Sequence, residues 1–405
     1  MVSGFRAPAD EEWLVPFFAK FKVAVRLITL LALSSALLWS WANHQQRVVQ
    51  TAKLLLPLGL LCFYALLSTI WSPLKPETFG QAGSLTTLLL LAFAVSILVQ
   101  KPNEIGRIIG ALTALTVSIC FLLLVTAILI PNTGHLSRDG EGLGHSTSSG
   151  ATASLGVVLL FLSAMLRSWR WPQLLIIPGM LILLPVMLIS ANRLSMAITA
   201  ILFGIAVCRF ANRQLIASLL IVIGVSGTLF LVVDPDFGSI RQSLDYLSRD
   251  QSSEEIGSLS GRSSMWEAMW ESFNESPVLG HGYFVTSSTG ELYVWYASKN
   301  WTAHNVVLQA LVTTGVVGTM LLLIGLTVPI IALMFAKRQS ESTRALKWFL
   351  GIMFTWYFFW GTLNESFLGP TQPESVIFFM IFGILVGAAV SGNAGDHRRF
   401  SILAG

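Results

Sequence analysis

Apolar runs about as long as a bilayer is thick recur along this chain, and that repetition limits its fold more than any other feature. A hydrocarbon core of about 30 Å takes roughly 20 apolar residues of helix. Runs of that order lie near Val23–Ala42, Leu54–Trp71, Leu85–Val99, Ile105–Ile130, Ala151–Leu166, Leu174–Ser190, Leu194–Phe210 and Leu215–Val233. Three more lie near Val306–Phe335, Leu346–Leu363 and Val376–Val390. The third run is short, so its helix is expected to begin nearer Phe79. Within lipid each backbone N–H and C=O must be satisfied by the protein itself, which makes such runs helices. Charged residues are 11% of the chain against 54% hydrophobic, whereas a soluble domain carries about a quarter charged. The expected fold is all-α, a polytopic bundle of about 11–12 membrane helices.

Along the chain this gives N-terminal membrane helices over 1–233, a long outer loop over 234–303, and C-terminal membrane helices with a tail over 304–405. Together they form a single integrated membrane domain. Basic residues in short loops mark the cytoplasmic side. Lys101 and Arg107, Arg167 and Arg170, Arg209 and Arg213, then Lys337, Arg338, Arg344 and Lys347, and finally Arg398 and Arg399 assign five segments to it. The loops Pro131–Ser149, Ser190–Arg193, Asp234–Ala303 and Asn364–Glu374 then face outward. Arg6, Lys20, Lys22 and Arg26 argue for an inner N-terminus, which calls for a twelfth helix or half-helix between Trp13 and Gln50; Asp10, Glu11 and Glu12 weaken that argument. The first apolar run reads as a retained helix, because no small-residue cleavage site follows it.

Composition also narrows the chemistry. The net charge of +4 is scattered over short loops, unlike the basic footprint of a nucleic-acid binder. Cys62, Cys120 and Cys208 fall inside apolar runs and read as small buried hydrophobes. The six histidines lack chelate spacing, and no nucleotide-binding glycine loop is present. Neither a metal nor a cofactor is expected.

Ionisable groups are costly in hydrocarbon, so their positions are informative. Arg193, Arg262, His304 and Glu365 all fall at outward helix ends. Arg193 occupies a tight turn, Ser190-Ala-Asn-Arg-Leu194, where a guanidinium either grips a phosphate through paired hydrogen bonds or snorkels to anchor the helix. Arg262 opens a segment in which Met265, Trp266, Met269, Trp270 and Phe273 recur at helical spacing, an amphipathic helix. A cation is disfavoured at the start of a helix, so Arg262 needs another partner. Pro277 ends that helix, and Gly280 and Gly282 supply a flexible turn. His304 and Asn305 open the next span, and a histidine can exchange protons near neutral pH.

The ordered set of Arg193 in its turn, Gly261-Arg262-x-x-x-Trp266, Pro277-Val-Leu-Gly-x-Gly282 and His304-Asn305-x-x-Leu308-Gln309 resembles the O-antigen ligase and polymerase superfamily of bacterial membrane glycosyltransferases. Leu67-Ser-Thr-Ile-Trp-Ser72 is similar to an outer-face pattern of that family. The resemblance implies about twelve helices in the bacterial inner membrane, with a partly helical periplasmic loop capping an outer-face cavity. It implies transfer of a glycan from a polyprenyl diphosphate donor to an acceptor hydroxyl on a glycan, a lipid A core or another molecule, without metal or nucleotide and with inversion. By the same resemblance Arg193 and Arg262 bind the diphosphate and His304 is catalytic, with Asn305, Glu365 and His145 in support. The chain departs from the family at Gly142-Leu-Gly-His-Ser-Thr-Ser-Ser-Gly150, where an expected asparagine is missing. His281 stands as a rival to His304, set between two glycines. Ligase and polymerase activity remain open, and the alternative is a transporter of a small solute or inorganic anion. A transporter places polar groups near the midplane on broken helices, a reading that Pro57, Pro178, Gly179 and Pro185 keep open.

Overall fold

The computed structural model describes residues 14–99, 102–129, 146–165, 176–190, 192–210, 262–294, 297–300, 302–335, 341–364, 367–368 and 371–393. The helices in order are α1 (Leu14–Leu67), α2 (Lys75–Leu98), α3 (Pro102–Leu129), α4 (Ser146–Met165), α5 (Ile176–Ile189), α6 (Arg193–Phe210) and α7 (Arg262–Glu275). A two-stranded hairpin, β1 (Leu292–Val294) and β2 (Ala297–Lys299), precedes α8 (Val306–Met334), α9 (Glu341–Gly361) and α10 (Pro373–Asn393). The chain is an all-α polytopic membrane protein, with the small antiparallel hairpin as an addition to that expectation. Among the described residues five helices are long and apolar enough to cross a membrane, and three shorter apolar ones accompany them. The expected span Leu215–Val233 and the loop up to Gly261 lie outside the described residues.

The chain divides into two compact units. The first comprises 1–115, 141–144 and 263–405, the second 116–140 and 145–262. In the first unit α2 and α8 pack along α1, and α10 packs on α2. The α2–α10 contact is close because Gly383 and Gly387 stand one turn apart on α10, the spacing that lets membrane helices approach backbone to backbone. A Cβ on Gly383 would lie 2.5 Å from the Ala92 carbonyl oxygen, and one on Gly387 2.7 Å from that of Ser96. Alanine gains about 1 kcal/mol over glycine in helix propensity, but a backbone carbonyl cannot yield, so the clash decides the sign. Gly383→Ala is expected to cost about 2 kcal/mol, read as a lower unfolding temperature in detergent; an equal or higher temperature would contradict this packing.

The same helices are tied at one end by Arg47. Its guanidinium donates to the carbonyls of Ser96, Val99 and Gly387 and to the Ser391 hydroxyl, so a cation closes the negative C-terminal end of α2. In the second unit α4 packs against α5 and α6, with Leu160, Leu183 and Val186 fully buried between α4 and α5.

Two helices are interrupted. α1 has 54 residues, about 80 Å at 1.5 Å per residue, far more than one crossing needs. It breaks at His44 (φ −139°, ψ 39°), between the two expected spans, and within its described length no further helix intervenes before Gln50. α8 is interrupted at Gly315 (φ 62°, ψ −169°). The segment beyond, Val316–Met334, is about 28 Å long and alone suffices to cross the hydrocarbon core. The shorter segment, Val306–Thr314, carries the residues next to His304.

Candidate functional site

His304 is held from both sides by its neighbours. Asn305 has extended backbone and caps α8: its Oδ1 accepts from the N–H groups of Val307 and Leu308, each at 3.0 Å. Its Nδ2 donates to the Thr362 carbonyl at 3.1 Å. Asparagine is among the best residues for this place because its short side chain reaches the unpaired first-turn donors. On the other side, the N–H of Ala303 donates to Gln309 Oε1 and the carbonyl of Ala303 accepts from the indole of Trp266, both at 2.7 Å. Between these anchors His304 adopts a positive φ of 45°, a left-handed conformation uncommon outside glycine and several-fold enriched in histidine. Strain of this kind persists only where surroundings over-determine it. The imidazole is half-buried.

The segment following α7 builds the frame beneath. At the α8 break, the carbonyls of Val312 and Thr313 lose their helical donors, and the N–H groups of Val316 and Val317 lose their acceptors. The loop after α7 replaces all four. His281 N donates to Val312 O and Gly282 N to Thr313 O, at 3.2 and 3.1 Å; Val316 N donates to Pro277 O and Val317 N to Val278 O, at 2.8 and 3.4 Å. The backbones come so close that a Cβ on Gly315 would sit 2.2 Å from Val278 O, and one on Gly280 2.5 Å from Thr313. Gly280, Gly282 and Gly315 all have positive φ. The turn read from sequence as flexible is therefore a fixed one.

The same loop is pinned to the end of α1. Tyr64 donates its hydroxyl to Leu279 O at 2.8 Å, and Ser68 Oγ accepts from Tyr283 N at 2.9 Å. Ser72 Oγ pairs with Thr78 Oγ1, and its Cβ lies where any side chain on Gly282 would go. The Ser-x-x-x-Ser pattern of residues 68 and 72 thus serves docking. Tyr283, fully enclosed, donates to Leu368 O at 2.9 Å, and burial raises its phenol above the usual range, which keeps it a donor. His281 is also buried: its Nε2 lies 2.7 Å from Ser272 O and 3.0 Å from Ser272 Oγ, which in turn donates to Thr286 O. These bonds tie α7 to the loop, and they give the rival histidine a structural place.

Arg193 belongs to the second unit, at the first position of α6. Asn192 caps that helix, its Oδ1 accepting from Ser195 N at 3.2 Å, and its Nδ2 anchors the turn to Thr147 O at 3.0 Å. The neighbouring Gly150 leaves no room for a Cβ, which would meet Ser190 Oγ at 2.5 Å. Arg193 is thus presented by a tight, well-bonded turn. Arg262 is the first residue of α7, on which Met265 and Met269 are buried and Trp270 is 52% exposed, so most of the apolar stripe is packing. Arg193 and Arg262 fall in the second unit and His304 in the first. His145 and Glu365 lie outside the described residues. Sequence reasoning missed Trp266 Nε1 and Gln309 as polar partners of Ala303, the first because its ring was counted on an apolar face. Gln309 had a visible signal, an amide inside a hydrophobic run.

Fold and site together define a multi-pass membrane protein whose marked polar residues stand at helix beginnings. Residues 142–323 match the O-antigen ligase family, a match that supports the resemblance to the O-antigen ligase and polymerase superfamily. That family implies membrane glycan ligase or polymerase activity. No curated protein matches the chain. The matched segment includes Arg193, Arg262, His304, Asn305 and Gln309.

Proposed function

We propose that the chain is a glycosyltransferase of the inner membrane, moving a glycan from a polyprenyl diphosphate donor to an acceptor hydroxyl at the periplasmic face. The observation that carries this reading is that Arg193 and Arg262 each begin a helix and His304 immediately precedes the cap of a third. Helix beginnings present unpaired N–H groups and a positive dipole end, which suit a phosphate. Two guanidinium groups, each able to give a phosphate two parallel hydrogen bonds, match a diphosphate.

The chemistry balances without nucleotide or metal. The acceptor oxygen attacks the anomeric carbon as His304 takes its proton. The bond from that carbon to phosphate breaks, and the polyprenyl diphosphate leaves with the electron pair. Arg193 and Arg262 stabilise the charge growing on it. A single displacement inverts the anomeric centre. A lipid A core sugar makes this a ligase reaction, and a second lipid-linked glycan makes it a polymerase reaction.

A bidentate grip requires the planar guanidinium fork, which lysine lacks. Arg193→Lys and Arg262→Lys are each expected to raise the donor KM about tenfold or more, with the acceptor KM unchanged, in proteoliposomes supplied with lipid-linked glycan extracted from the source cells. An unchanged donor KM in both variants would remove the arginines from this role.

The transporter reading gains a broken helix at Gly315 and loses its use. In transporters the unwound backbone groups hold the ion or substrate. Here the four groups freed at the break are bonded to Pro277, Val278, His281 and Gly282, which leaves them none to offer a solute.

A further inference from the structure

We propose that Trp266 and Gln309 are positioning residues for His304, acting through the backbone of Ala303; this rests on the reading of His304 as the base. A left-handed histidine relaxes to commoner backbone angles unless its flanking peptides are held, and a change of that size carries the imidazole several ångströms. Catalytic groups must be kept within about half an ångström of their working geometry. The peptide linking Ala303 to His304 is held by the Trp266 indole, and the peptide before it by Gln309 Oε1. Ala303 is fully buried and Gln309 is 2% exposed, so water does not compete for these bonds.

Packing alone does not account for either residue. Trp266 lies beside the Met265, Met269 and Leu308 cluster, where phenylalanine would serve as well, yet its N–H is spent on one chosen carbonyl. Gln309 keeps Nε2 buried without a hydrogen-bond partner. An unpaired buried donor is unfavourable, and leucine would fill the place without it. What glutamine supplies there is the oxygen that fixes Ala303 N–H.

The test uses the full chain in proteoliposomes, supplied with lipid-linked glycan extracted from the source cells, and compares Trp266→Phe, Gln309→Met and His304→Ala. Each experiment reads kcat, donor KM, unfolding temperature and the histidine side-chain NMR signals, the His304 signal being identified by its absence in His304→Ala. Trp266→Phe and Gln309→Met are expected to lower kcat about tenfold to a hundredfold. Donor KM should stay within about twofold and the unfolding temperature fall only by the few degrees that one lost buried hydrogen bond accounts for, with the His304 signal shifted or broadened and His281 unmoved. Full turnover in both variants, or a fall in turnover with the His304 signal unchanged, would overturn the clamp. Full turnover in His304→Ala would instead overturn the transferase reading itself.

Discussion

His304→Ala is expected to lower glycan transfer by about a hundredfold to ten-thousandfold, the range over which a positioned general base contributes. Binding of the lipid diphosphate donor should be unaffected, because in the proposed reaction the imidazole meets the acceptor proton while the guanidinium groups of Arg193 and Arg262 meet the leaving group. The chain should also fold. His304 lies between anchors that belong to Ala303 and Asn305, and alanine leaves both in place. The substitution thus separates chemistry from binding and from stability. Turnover within a few-fold of the parent would contradict the assignment, and a matching loss of donor binding would move the residue from proton transfer to donor recognition. His281→Ala should behave differently. It removes a buried bond to Ser272, so its effect falls on stability.

Gly315→Ala is the second large effect, and it acts on the frame. At φ 62° and ψ −169° the residue occupies a region open to glycine alone, where a side chain costs about 1–3 kcal/mol. The added Cβ would also stand 2.2 Å from Val278 O. The polypeptide has two ways to respond. It keeps the break and carries the strain, or it closes α8 into a continuous helix and expels the loop. Closing the helix restores Val312–Val316 and Thr313–Val317 bonding but leaves Pro277, Val278, His281 and Gly282 without partners. At about 1 kcal/mol for each bond, losing four and regaining two costs about 2 kcal/mol, and carrying the strain costs about 1–3 kcal/mol. Hydrogen exchange at the His281 and Gly282 amides tells them apart: protection is lost if the loop is expelled and retained if strain is carried. A variant with parental stability and parental protection would show that the loop does not depend on the break.

These two sites also mark how far the sequence could be read. Ten of the eleven expected spans correspond to described helical segments, because a run of apolar residues leaves the backbone no partner but itself in lipid. α2 begins at Lys75, earlier than its apolar run, as its shortness suggested. The amphipathic helix over Arg262–Glu275 was legible from the spacing of Met265, Trp266 and Met269. The break at Gly315 was not. Val306–Phe335 is apolar on both sides of that glycine, and hydropathy cannot distinguish a continuous helix from one completed by another segment's backbone. Only the coincidence of Gly315 with Gly280 and Gly282 hinted at close approach, and glycine reads equally as flexibility. Trp266 was hidden for a related reason: its ring fits the apolar face, while its N–H reaches a carbonyl 37 residues away in sequence. Arg193 was conspicuous in the sequence as a charge in a tight turn between two apolar runs, and Arg262 as a cation at a helix beginning.

Transfer from a lipid diphosphate is tested by weighing its products. Proteoliposomes holding the full chain would be mixed with lipid-linked glycan from the source cells and a hydroxyl acceptor, with a metal chelator present and no nucleotide. One polyprenyl diphosphate is expected to be released for each new glycosidic bond, with inverted configuration at the transferred sugar. Uptake of an unmodified solute with no glycosidic bond formed, or transfer that stops when metal is removed, would contradict it.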